Sequence, residues 1–156
     1  MSNWQNLNTV KKGDIGEQII IDYLDKKGFV IYAPFYSKPH WIDFFASRNK
    51  DEIYAIDVKT KSRLNKWDAT GLDLQDYKDY LKLNQKTGIR VFLFFVDDKE
   101  GFIHCADIQN LKNGFYPTPK IIAFYRKDMK LIGKIDDQYL KKLEKYDSRK
   151  YIYKPN

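Results

Sequence analysis

The chain has 156 residues, 43% hydrophobic and 31% charged, the balance of one globular domain rather than of a membrane-embedded or disordered chain. Its formal net charge is +7, and the surplus is uneven: residues 1–78 hold 12 basic and 11 acidic side chains, residues 79–156 hold 16 and 10. That leaning suits a polyanionic partner, nucleic acid or an acidic membrane surface, although a solvated Lys-rich surface gives the same count. The single Cys105 excludes an intramolecular disulfide, no His/Cys cluster suits zinc, and no apolar run nears the roughly 20 residues of a membrane helix. With no apolar segment in "MSNWQNLNTVKKGD" to act as a signal, the expected location is cytoplasmic.

Taken in chain order, Ile15, Ile19, Ile20, Tyr23 and Leu24 recur at helical spacing and predict a helix over 10–27, stopped by Gly28. Three strands follow, at 29–36, 41–48 and 52–61, with short separators that favour an antiparallel meander. Residues 62–73, "SRLNKWDATGLD", are polar and read as a loop. A second helix over 74–86 carries Leu74, Tyr77, Tyr80 and Leu81 inward and ends at Gly88. The strand at 89–97, "IRVFLFFVD", is apolar on both faces, and "DKEG" turns it into another at 101–108. Strands at 120–126 and 130–135 and a helix at 136–146 complete the order. The fold class is α/β, a mixed central sheet flanked by helices, with a parallel crossover from 52–61 through the second helix to 89–97.

Within this frame, four ionisable residues sit where apolar ones are expected. Residues two apart on a strand share a face, so Asp57 and Lys59 align with Ile53 and Ala55, which would anchor that face in the core. Asp43 shares a strand face with Trp41 and Phe45, where an ionised carboxylate without a partner is costly. Glu17 falls within about 60° of Ile20, Ile21 and Leu24 on the first helix. Gly13 and Gly16 each cost that helix about 1 kcal/mol, which implies close approach of something to its face. Buried ion pairs are the ordinary explanation for any one of these groups. Three acids against one Lys strain it, because clustered carboxylates without cationic balance are what a hard divalent cation requires.

Asp43, then Asp57-Val58-Lys59, preceded by Glu17 in "GDIGEQIIIDYLDKKGF", resemble the PD-(D/E)XK nuclease superfamily, in particular its Holliday-junction-resolvase-like and phage-type members. The resemblance covers about residues 11–97. Ile42 stands in place of the proline, and no Tyr lies four residues after Gln75, a possible accessory residue. The resemblance implies a restriction-endonuclease-like fold and a metal-dependent DNA endonuclease. Its Mg²⁺, replaceable by Mn²⁺, would be held by Asp43, Asp57 and the Val58 backbone carbonyl, with Glu17 acting through water or a second ion. Lys59 would orient the attacking water or neutralise charge on the phosphate. Lys11, Lys12, Lys61, Arg63 and Lys66 would contact DNA phosphates, Trp67 would either stack on an exposed base or pack against the fold, and a homodimer is compatible with cutting two strands. His104 reads as structural, and His40 draws interest only through its place three residues before Asp43. On these expectations residues 1–156 form a single nuclease-like domain, in which 98–156 complete the sheet and add basic surface. The alternative is a nucleic-acid-binding protein that keeps the fold without turnover.

Overall fold

The computed structural model describes residues 7–34 and 41–146. Helix α1 (Asn8–Lys26) is followed by strands β1 (Val30–Tyr32), β2 (Phe44–Asn49) and β3 (Glu52–Thr60). Strand β4 (Ala69–Asp73) leads directly into helix α2 (Leu74–Thr87) and strands β5 (Arg90–Val96) and β6 (Phe102–Asp107). Strands β7 (Phe115–Thr118), β8 (Ile121–Tyr125) and β9 (Lys130–Lys134) and helix α3 (Asp137–Glu144) complete the described elements. Gly28 and Gly88 follow the first two helices with φ of 81° and 72°, a left-handed backbone that only glycine adopts cheaply.

The main sheet has six strands in the order β1-β2-β3-β5-β6-β9. Only β3 and β5 run parallel, from Tyr54↔Arg90 to Thr60↔Val96, and α2 makes the crossover between them. The meander β1-β2-β3 is antiparallel, as the short separators require. Strand β5 lies at the centre and is buried on both faces, which is why "VFLFFV" is apolar without alternation. Ile56, Val58, Phe94 and Val96 pack with Ile19, Ile20 and Leu24 of α1 and Leu143 of α3. Ala55, Val91, Leu93 and Phe95 pack on the opposite side with Tyr80 of α2, Leu72, Ile122 and Phe124.

Two segments differ from the sequence-based expectation. Half of the polar stretch 62–73 is not loop: Ala69–Asp73 forms β4, which pairs with β8, and β8 pairs with β7, in a separate three-stranded antiparallel sheet. Ala, Gly and Asp in "ATGLD" carry little strand propensity, but Gly71 lies where a side chain would come within 2.8 Å of Ile121. The strand is therefore set by tertiary packing rather than by local preference. The strand expected over 29–36 shortens to β1, and residues 35–36, like His40, lie outside the described residues.

Candidate active site

The site forms where β2 and β3 part. Their pairing ends at Phe44↔Ile56, with one further bond from Asp43 N–H to the Ile56 carbonyl at 2.9 Å. Beyond that point the next backbone donor on β3, Val58 N–H, is taken by a side chain: it donates to Asp43 Oδ2 at 2.6 Å. A carboxylate thus replaces a strand, and the Val58 carbonyl, which points to the same side as its own N–H, lies on this open edge. Asp57, one residue before, is buried (3% exposed), and Lys59, one residue after, is partly buried. Glu17 reaches the same notch from α1, close enough to exert an electrostatic effect on Asp43 and to feel Asp57 and Lys59. Residue 53 departs from expectation. Ala55 is fully buried, but Ile53, two residues earlier on the same face, is half exposed because it sits at the open start of β3.

The close approach to α1 that its glycines imply is found at Gly16, where an added Cβ would lie 1.7 Å from the Thr60 Oγ1. The backbone of α1 therefore lies against the end of β3, and this contact brings Glu17 into the notch. Apart from its own helix, Gly13 has no atom of the described residues within 4 Å of where its Cβ would be, so packing among them does not account for it.

Two site residues escaped the sequence reading. Asp76, in the first turn of α2, accepts a hydrogen bond from Lys59 Nζ at 3.2 Å. Tyr80, one helical turn further on and 1% exposed, has its hydroxyl on Asp57 and its ring 5.8 Å from the Lys59 ammonium. The i, i+4 spacing of Asp76 and Tyr80 was the available signal, since it places both on one helix face. Gln75, the expected accessory residue, instead donates to Asp79 at 3.2 Å on the exposed side of α2.

The electrostatics follow from crowding acids out of water. Burial, aided by the charges of Asp57 and Glu17, pushes the Asp43 carboxyl up to about 8. Burial likewise raises Glu17 to about 7, with Asp14 and Asp57 adding to it. Asp57 is raised by burial despite the opposing pull of Lys59 and Tyr80. Lys59 is weakened by burial, but Asp57 and Asp76 outweigh that, so its pKa lies above the ordinary lysine value. Its Nζ is 3.3 Å from Asp57 Oδ1, the better-directed contact, and 3.1 Å from Oδ2. Asp57 Oδ2 is consequently buried without a hydrogen-bond partner, a costly condition for a charged oxygen.

These donors fit a hard divalent cation: they are oxygens, carboxyl groups outnumber the one Lys among them, and Asp57 Oδ2 has no directed hydrogen bond. Among the described residues, no group of three or more His, Cys, Asp or Glu side chains is arranged to hold a metal ion alone. A cation here would also draw on a backbone oxygen and on water, as Mg²⁺ commonly does.

The predicted phosphate contacts divide. Lys61 is half-buried beside the notch, and burial and Lys59 push it down to about 8. Lys66 is exposed in the loop after β3. Arg63 is bonded to Glu100 at 3.0 Å, Lys12 is paired with buried Asp98, and Lys11 lies over the Tyr146 ring at 5.9 Å. His104 is buried on β6, two strands from β3, where burial lowers its pKa.

A mixed sheet with a parallel central pair and helices on its faces is the restriction-endonuclease-like fold. Two solved structures share it. Hjc, a Holliday junction resolvase from the archaeal hyperthermophile Archaeoglobus fulgidus, aligns over 78% of this chain and 92% of its own, with a TM-score of 0.58 and 17% identity. D212, a nuclease from a fusselovirus, aligns over 88% of this chain and 92% of its own, with a TM-score of 0.52 and 17% identity. No family model and no curated protein matches the sequence.

Proposed function

We propose that this protein is a Mg²⁺-dependent DNA endonuclease, acting on branched or otherwise structured DNA. The observation that carries the reading is the convergence of Asp43, Asp57, Glu17 and Lys59 on the notch between β2 and β3, with Asp57 Oδ2 buried, 3.1 Å from the Lys59 ammonium and without a directed hydrogen bond. The resolvase activity named for the Archaeoglobus protein, on a shared fold, supports the substrate class.

In this reading Asp43, Asp57 and the Val58 carbonyl would hold the metal, and Glu17 would act through water or a second ion. The metal, when bound, supplies polarisation of the scissile phosphate and acidification of a water. Lys59 keeps its proton at neutral pH, so it serves as a cation and hydrogen-bond donor toward the phosphate rather than as a base. Asp76 positions that ammonium, and Tyr80 fixes the Asp57 carboxylate. Lys61, the next residue on the same strand face, neutralises an adjoining phosphate.

The test is incubation of the protein with duplex, single-stranded and four-way-junction DNA in Mg²⁺, Mn²⁺ or EDTA. Cleavage is expected with either metal, strongest on the junction, and is expected to fall at least 100-fold in Asp57→Asn and Lys59→Ala. Intact DNA under every condition, with binding retained, would favour a protein that holds DNA without cutting it. Undiminished cutting by Asp57→Asn would remove this site from the mechanism.

A further inference from the structure

The outer face of the small sheet carries a cluster of rings that the carboxylate site does not use. Trp67, in the loop before β4, meets Phe115 of β7 with centroids 5.3 Å apart, and Phe115 meets Tyr125 of β8 at 5.1 Å. Strand register explains the grouping. Phe115 lies level with Ala123 and Gly71, and Tyr125 with Ala69, so the rings share the face of these small residues. The opposite face of the same strands supplies Leu72, Ile122 and Phe124 to the core. No described helix packs over the ring-bearing face, and Trp67 is 38% exposed.

Two lysines flank the rings on the solvent side. Lys66 precedes Trp67 and is exposed, and the exposed Lys127 holds its ammonium 5.4 Å from the Tyr125 ring centre. Asp68, the acid beside Trp67, is paired with Arg126, which Asp97 and Glu100 also engage. Rings offering faces to solvent between ammonium groups are the pattern by which proteins hold unpaired bases, the rings stacking and the cations taking phosphate.

The position relative to the notch supports the same occupant. Strand β4 ends at Asp73, which acts electrostatically on Lys61 at the site. From there to Ala69, beside Tyr125, is about 14 Å along the strand, no more than about four nucleotides of a DNA strand. On the reading of the notch as a DNA-cutting site, we propose that Trp67, Phe115 and Tyr125 form a stacking shelf for an unpaired base on the strand leaving that site. The shelf gives the protein its preference for DNA with a single-stranded arm over fully paired duplex.

Fluorescence anisotropy in EDTA, with no cleavage, tests this on a blunt duplex and on the same duplex bearing a short oligo-dT arm. Trp67→Leu keeps an apolar side chain beside Phe115 but removes the broad π-face, whereas Trp67→Phe keeps both. Wild type and Trp67→Phe are expected to bind the armed duplex about tenfold more tightly than the blunt one, the usual effect of one stacked base. Trp67→Leu is expected to lose that gain and to bind blunt duplex as wild type does. Equal affinity of wild type for the two DNAs, or equal weakening of both by Trp67→Leu, overturns the shelf while leaving the notch reading intact. Wild type that binds neither DNA overturns both.

Discussion

Asp43 has two states of very different cost. In metal-free protein it stays protonated up to about pH 8, and Glu17 up to about 7, whereas in the unfolded chain both ionise near 4. The native state therefore binds more protons than the unfolded state between those values. Stability from these groups is present below about pH 4 and is lost as pH rises through about 7 to 8. It follows that Asp43→Asn, which cannot ionise, should melt higher than wild type in EDTA at pH 8.5, by about 1–2 kcal/mol or roughly 3–8 °C, with a smaller difference at pH 5. Adding Mg²⁺ should raise the melting temperature of wild type and not of the variant. Scanning calorimetry at the two pH values decides it, and an Asn variant that melts below wild type at pH 8.5 would refute the account. At this scale the sequence was informative where a charge interrupted an apolar pattern, as at Asp43, Asp57 and Glu17. It was silent on Asp76 and Tyr80, which sit in an ordinary amphipathic helix and acquire their role only because α2 packs beside the end of β3.

The junction of α1 with β3 shows how an element delivers a residue to the site. Gly16 costs helix propensity of about 1 kcal/mol relative to Ala, but an alanine Cβ there would overlap Thr60 Oγ1 at 1.7 Å. The overlap is the larger effect, because Thr60 stands on a central strand that cannot retreat. Gly16→Ala should therefore destabilise the protein by about 1–3 kcal/mol and shift Glu17 out of the notch. Thr60→Ala in the same chain should restore much of the loss, since it removes the atom struck first. Gly13→Ala, with open space around it, should instead stabilise by up to about 1 kcal/mol. Urea denaturation of the three variants checks the order, and equal effects at the two glycines would show that the contact is unimportant. Elements with strong periodicity, α1, α2, β3 and β5, were legible in the sequence within a few residues of their bounds. Strands β4 and β7 were not, because "ATGLD" and "FYPT" form strands only through pairing with β8.

Across the whole molecule, a net charge of +7 predicts DNA binding that weakens steeply with salt, but the surplus is not spread evenly over the lysines the sequence singled out. Lys61 and Lys66 stand beside the notch and the loop that leaves it, with no salt-bridge partner among the described residues, whereas Lys12 is 12% exposed and paired with Asp98, itself 3% exposed. The two kinds of lysine should respond differently to alanine. Lys61→Ala should leave the melting temperature nearly unchanged, lower affinity for duplex DNA, and reduce the slope of log K against log salt by about 1, one phosphate contact fewer. Lys12→Ala should leave that slope unchanged and cost about 3 kcal/mol of stability, because it strands the Asp98 carboxylate in the interior, where Oδ1 already lacks a hydrogen-bond partner. The measurement is binding of a blunt duplex in EDTA from 50 to 300 mM salt, roughly, beside thermal melts of each variant. A salt slope reduced in Lys12→Ala would move that lysine back to the DNA face. A slope unaffected by Lys61→Ala would mean that the phosphate track does not pass over the end of β3.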